Sequence, residues 1–356
     1  MAEKIILGTN TVLGVAKQPA LIVGAPVAVT RRILFNAPSP LTRNAEFWRG
    51  DNTRGIPSAA PTAYPPILVG DRATLPLAAD IDMRDSLLWL LASIDAAPTN
   101  VARAGDDFED ITFEPAADRI PNISTFSLAR GSASADGSPH AYAYANGFIT
   151  GWNIAEGGGG LLAITQNWQL GREVEREFTD NIADPNVQIA GLLNRTMTMS
   201  VHNSFADALA NQNPIAGSSR LSGITIGYTS GWAPVEERDG PIDYGDIAGS
   251  GRTMTIGGTA ILTSEAADLA QAESRMLDQF RAVRIRMASP IEPYAMIITA
   301  NVTHQGGSLV ERDGVNAAGQ ATWSMAMRSA KVLDNDIRID LTVHEDDRTA
   351  YGLAAP

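Results

Sequence analysis

The chain has 356 residues, 44% of them hydrophobic and 19% charged, with 27 Lys and Arg against 40 Asp and Glu for a formal charge of −13. That is about twice a ~150-residue domain, so two cores are expected, and the acid excess argues against a protein that wraps nucleic acid, which needs a basic stripe. Without cysteine there is no disulfide framework, thiolate metal site or cysteine nucleophile.

Met1 to Thr11 lacks the basic and apolar regions of a signal peptide, and no run approaches the ~20 apolar residues of a membrane span. A soluble protein with no membrane contact is expected. Residues 1–25 carry short apolar runs, Ile5 to Leu7 and Leu21 to Val23, broken by Gly8, Gly14, Pro19 and Gly24, and read as an extended arm. A strand (27–35), a Pro/Gly-rich loop (38–66) and a strand (67–77) follow. Met83, Leu87, Leu90, Leu91 and Ile94 then share one face of a helix spanning Met83 to Ala97, capped by Asp80 or Asp82 and stopped by Pro98. Strands follow at 124–129, 140–150 and 161–170, the last two joined by a hairpin turn at Gly157 to Gly160.

Regular structure breaks between Arg176 and Gly191, at Asp184-Pro185. The second half repeats the order: strand 221–228, loop 230–251, strand 252–262 and a helix from Ser264 to about Ala282, with Leu269, Ala270, Met276, Leu277 and Phe280 on one face. Strands at 294–304, 321–328 and 337–343 complete it. Period-2 alternation is clearest at Ile337, Ile339, Leu341 and Val343, and recurs at Trp323, Met325 and Met327 and at Met197, Met199 and Val201. The expected fold is mainly β: two β-sandwich or barrel domains at 26–182 and 183–350, each flanked by one helix, with a tail at 351–356. Two unrelated β-domains that each carry a helix would give the same order.

No chemistry of an enzyme is visible. His140, His202, His304 and His344 lack metal-ligand spacing, and no G-x-S-x-G elbow, P-loop or dinucleotide fingerprint appears. The acidic stretches Asp106, Asp107, Glu109 and Asp110, and Asp346 and Asp347, lack the spacing of a Ca²⁺ loop and read as solvated loops. No catalytic residue, metal or cofactor is expected. The two long loops are complementary in charge: Arg43, Arg49 and Arg54 in the first, Glu236, Glu237, Asp239, Asp243 and Asp246 in the second. Meeting between stacked copies, they would fix register; unrelated surface loops are the plainer reading.

The stretch Phe113 to Arg172 contains Ile123-Ser124-Thr125-Phe126-Ser127-Leu128, Ala145-Asn146-Gly147-Phe148-Ile149-Thr150-Gly151-Trp152-Asn153-Ile154, Gly158-Gly159-Gly160-Leu161-Leu162-Ala163 and Asn167-Trp168-Gln169-Leu170-Gly171-Arg172. In this pattern it resembles the major tail tube proteins of long-tailed (siphovirus) bacteriophages. The resemblance implies tail-tube-like β-sandwich domains joined edge to edge, with an inner sheet closed into a barrel and rings stacked around a DNA channel.

Three two-domain chains would then make a ring of six domains, similar to the trimeric tube rings of phages infecting thermophiles such as Thermus. The partners implied are copies of the chain, the tape-measure, tail-tip and terminator proteins, and genomic DNA passing through the lumen without specific binding. Assembly would occur in the host cytoplasm and the product would reside in the virion tail. Negative charge lining the bore would repel phosphate. A capsid decoration or adhesion sandwich and a carbohydrate-binding β-protein are the alternatives.

Overall fold

A computed structural model describes residues 12–33, 35, 41–48, 67–94, 98–115, 124–133, 139–157, 160–176, 190–214, 216–217, 221–236, 244–249, 251–261, 280–291, 293–304, 314–315, 321–331 and 336–354. The protein is mainly β, built on a large antiparallel sheet system with few helices. Among the described residues no helix is long and apolar enough to cross a membrane.

The first half contains β1 (Val12–Lys17), β2 (Arg31–Ile33), β3 (Thr42–Trp48), β4 (Ile67–Asp80), helix α1 (Met83–Leu91), β5 (Thr99–Ala102), β6 (Phe108–Phe113), β7 (Phe126–Ala133), β8 (Pro139–Glu156), β9 (Leu162–Leu170) and β10 (Glu173–Arg176). The second contains β11 (Thr198–His202), α2 (Phe205–Ala210), β12 (Ala216–Gly217), β13 (Leu221–Thr229), β14 (Trp232–Val235), β15 (Asp246–Gly249), β16 (Thr253–Ile261), β17 (Arg281–Ala288), β18 (Ala295–His304), β19 (Gly314–Val315), β20 (Ala321–Ser329), β21 (Ile337–His344) and α3 (Glu345–Thr349).

Ladder by ladder, the halves repeat one pairing plan. In the first, β1 pairs β7, β7 pairs β8 and β8 pairs β10, while β3 pairs β4, β4 pairs β9 and β9 returns to β8. In the second, β11 pairs β17, β17 pairs β18 and β18 pairs β21, while β13 pairs β16, β16 pairs β20 and β20 returns to β18. Strands β8 and β18 therefore each serve two sheets. The change of sheet in β8 falls at Asn146, whose φ of 58 lies in the left-handed region where asparagine is among the few tolerated side chains. Gly147 follows because a Cβ there would meet Leu128, Leu170 and the Phe126 carbonyl oxygen, each at 2.9 Å. The residues from Gly147 onward are thus the distal part of one long strand, which runs past the end expected at residue 150.

The main core is an apolar cluster with contributions from both halves, including Leu75, Phe126, Trp168, Ile226, Met254 and Ile298. Helix α1 is buried on nearly every side, more than a one-faced amphipathic pattern implies. The Asp82 side chain caps it, accepting from the Arg84 N–H at 3.2 Å.

Several elements depart from the expectations. Residues 12–17 of the supposed arm form β1, which is hydrogen-bonded on both edges. Part of the first long loop is β3, and the second holds the hairpin β14–β15. The acidic stretch at 106–110 runs into β6, where Ile111 and Phe113 are buried, and Asp346 and Asp347 lie on α3. The helix expected from Ser264 lies outside the described residues except at its end, where Arg281 and Ala282 already belong to β17.

Candidate assembly interface

The two halves meet along β8 and β13, which pair antiparallel with Gly151 opposite Thr229, Trp152 opposite Tyr228, Asn153 opposite Gly227 and Ile154 opposite Ile226. This ladder fuses two four-stranded sheets into the continuous order β3–β4–β9–β8–β13–β16–β20–β18. On the core side Trp152 stacks on Tyr228 with ring centroids 5.3 Å apart, meets Trp89 of α1 edge-on at 4.9 Å, and donates from Nε1 to Ser93 Oγ at 3.2 Å. On the other side the strands meet through glycine. A Cβ on Gly151 would sit 2.8 Å from the Tyr228 carbonyl oxygen, and one on Gly227 2.7 Å from Thr255 Oγ1. A depression of about 440 Å³ lies over this seam, lined by Thr150, Asn153, Thr165, Asn167, Thr229 and Thr255 among others.

A second ladder reinforces the seam. Strand β6 of the first half pairs β21 of the second from Phe108 opposite His344 to Phe113 opposite Ile339. Below it Arg348 of α3 faces Glu109 of β6 at 2.8 Å, both side chains 3% exposed, an ion pair whose angle does not make a hydrogen bond. The hairpin β14–β15 folds back on β8, where Phe148, Trp232, Tyr244 and Ile247 form a separate apolar cluster. Tyr244 donates its hydroxyl to the Asn146 carbonyl oxygen.

The charged loop residues divide. Arg43 lies on β3 and spans the buried carboxylate of Asp71 with two hydrogen bonds of 2.8 Å, with Glu173 at 3.7 Å. The bonds to Asp71, ahead of its burial, raise the Arg43 pKa. Glu236, just past β14, pairs with Arg72 of β4 and so ties the second loop to the first half of the same chain. Asp246 is exposed at the start of β15, and its side chain accepts from the Ile247 N–H at 2.7 Å. Arg49, Arg54, Glu237, Asp239 and Asp243 lie outside the described residues. Counting charges per loop pointed to Glu236 but missed Arg72 and Asp71, which sit inside an apolar strand pattern.

The histidines that are described have structural partners. His202 is buried, with Nδ1 donating to the Gln212 carbonyl oxygen at 2.7 Å and Nε2 2.8 Å from Ser200 Oγ. The His344 ring accepts from the Asp346 N–H at the start of α3 and packs edge-on against Phe108. The side chains of His140 and His304 lie outside the described part. Among the described residues no group of His, Asp and Glu is placed to hold a metal ion.

No family model matches the chain, and no curated protein matches it significantly. Among solved structures, a chain from the tail of an empty GTA (gene transfer agent) particle, obtained by helical refinement with C6 symmetry, is similar at 14% identity and a TM-score of 0.28. The similarity covers 38% of this chain and 92% of the other. At that TM-score the fold description rests on the strand ladders alone.

Proposed function

We propose that the protein is a self-assembling structural component and not an enzyme. Its copies would join sheet edge to sheet edge into rings, and the rings would stack into the tail tube of a long-tailed phage, a hollow conduit for DNA. The observation that carries this reading is the β8–β13 ladder. Because the halves share one pairing plan, β3 is the counterpart of β13, and β18, continued by β19 along β20, is the counterpart of β8. Among the described residues β3 pairs only with β4, and β18 past Val302 and β19 pair only with β20. The chain thus carries at its two ends the two sides of a joint that it already makes once internally.

A contact between unlike surfaces closes into a ring when the rotation per subunit divides a full turn, and otherwise makes a filament. Pairing both edges also removes the exposed amide rows that invite uncontrolled aggregation. The internal joint has a second ladder, β6 with β21, so the whole chain is the unit that adds. The likeness of Phe113 to Arg172 to tail tube proteins supports the tube over other ring-forming assemblies.

Negative-stain microscopy of the purified protein tests this. Rings or hollow tubes are the expected result, while monodisperse particles at all concentrations would remove the proposal and favour a capsid decoration or adhesion role.

A further inference from the structure

The outward face of the sheet built on β17, β18 and β21 carries cations that the fold does not use. Arg284 and Arg286 stand two residues apart on β17 and point away from the core, because the alternating Val283, Ile285 and Met287 are buried in it. Among the described residues neither guanidinium has a hydrogen bond or an ion pair. Burial first, and then the neighbouring Arg286, lower the Arg284 pKa, and Asp340 offsets them only in part. Beside Arg284 on β18 lies Thr299, and beside Thr299 on β21 lies Arg338. Thr299 is 0% exposed, yet its hydroxyl has no hydrogen-bond partner. Arg338 is committed to Asp340, which its Nε meets at 3.0 Å, and Asp340 also accepts from the Thr112 hydroxyl at 2.6 Å. The first half fills the matching row differently: Ala129 of β7 lies opposite Ala143 of β8, and Val29 packs on the pair. In the second half helix α2 covers the row beyond, where Phe205 and Ala208 pack on Ala282.

We propose that Arg284, Arg286 and Thr299 form a binding site for a doubly charged oxoanion of the phosphate class. A buried hydroxyl without a partner is unfavourable, and two guanidiniums on successive positions of one strand face repel each other. A single anion seated between them answers both. Cross-strand neighbours on one face stand roughly 4.5–5.5 Å apart at Cβ, and Arg286 lies about 7 Å along the strand from Arg284, so all three side chains reach one ligand. Arginine's planar fork matches phosphate oxygens two at a time, and the threonine hydroxyl donates to a further oxygen. A phosphate group carries about −1.5 to −2 at pH 7, which fits the two arginines better than the single charge of a carboxylate. Because the chain as a whole is at −13, anions gain nothing from its general field, and binding must be local. The proposal does not depend on the tube reading.

Isothermal titration of the intact chain with inorganic phosphate and, separately, with phosphoserine, at constant ionic strength, tests this. Saturable binding at a single site per chain is expected, and the tighter of the two probes tells a free ion from a phosphorylated side chain. Arg284→Gln/Arg286→Gln should weaken binding by about tenfold or more, as the loss of charge-assisted hydrogen bonds implies. Thr299→Val should weaken it several-fold while leaving the urea midpoint of the ligand-free chain equal or higher, since the hydroxyl it removes has no partner there. No saturable binding by the wild type, unchanged binding by Thr299→Val, or acetate binding as tightly as phosphate would each overturn the proposal. A lowered midpoint for ligand-free Thr299→Val would also overturn it, because the hydroxyl would then be in structural use. Failure here leaves the tube reading standing, since none of these residues lies in the β8–β13 ladder.

Discussion

Replacing Trp152 by alanine should cost about 4 kcal/mol of folding stability, in the range for emptying a buried tryptophan site, seen as a lowered urea midpoint for the whole chain. Trp152 is 3% exposed and touches three parts of the molecule at once: Tyr228 across the seam, Trp89 on α1 and the Ser93 hydroxyl just after that helix. Truncation removes the stacked pair, leaves a cavity between rigid strands and costs Ser93 a donor. Because the seam joins the halves, both should still melt together in the wild type, while the variant should show a broadened or split transition. The exposed Val101, 68% accessible on β5, provides the contrast: Val101→Ala should change stability by less than about 0.5 kcal/mol. Equal effects at the two positions would contradict the packing described.

The second large effect is expected at Arg31. Its guanidinium lies over the Tyr351 ring at 4.7 Å, donates to Asp347 Oδ1 at 3.0 Å and to the Arg84 carbonyl oxygen at 2.8 Å, and faces Asp85 at 3.7 Å. Burial alone would lower its pKa; Tyr351, Asp85 and Asp347 more than offset that and raise it. One side chain thus pins β2 to α1 and to the C-terminal helix α3. Arg31→Ala leaves Asp85 and Asp347 in a largely buried site with only the more distant Arg84 to offset them, and should destabilise by about 3 kcal/mol.

The loss should depend on pH in a defined direction. Burial holds the Asp347 carboxyl above its ordinary range, with Arg31 and Arg84 pulling downward. Removing Arg31 lets it rise further. A carboxyl whose folded pKa exceeds its unfolded value near ~4 contributes stability that is fully present below the unfolded value and lost as pH rises through the folded one. The deficit of Arg31→Ala should therefore be smallest in acid and grow toward neutral pH. A deficit that widens as pH falls would contradict this assignment.

Strand alternation made much of the fold legible. Ile337 to Val343 is β21, buried at every second residue, and the region 140–170 is the β8–β9 hairpin. The order of elements in the two halves was readable in part: strands 67–77 and 252–262 fall on β4 and β16, which hold matching places, whereas the counterpart of strand 221–228 is β3, inside the expected loop, and the helix expected from Ser264 lies outside the described residues. What was hidden has physical causes. The acids Glu109 and Asp110 masked the apolar alternation of β6, and Glu109 is a buried partner of Arg348 some 240 residues away. Strand β3 was hidden by the polar run Thr42-Arg43-Asn44, since an edge strand bonded on one side need not look apolar. The seam itself leaves almost no sequence mark. Pairing of β8 with β13 depends on Gly151, where a Cβ would meet the Tyr228 carbonyl oxygen at 2.8 Å, and a glycine in sequence does not say what approaches it.

The joint between copies is the central claim, and cross-linking reads it most directly. Asn44 faces Arg72 as its counterpart Thr229 faces Thr253, and Thr303 faces Arg328 as Phe148 faces Gln169. Carrying the β8–β13 register across puts Asn44 of one copy diagonal to Thr303 of the next, about 7–8 Å apart and within reach of a short bifunctional thiol reagent. In tubes of the double variant Asn44→Cys/Thr303→Cys, the reagent should give a ladder of covalent dimers, trimers and closed rings. Either single variant should give none, because the joint brings unlike edges together. A double variant that assembles, reacts at both thiols and still runs as monomer, or a single variant that forms covalent dimers, would contradict the account.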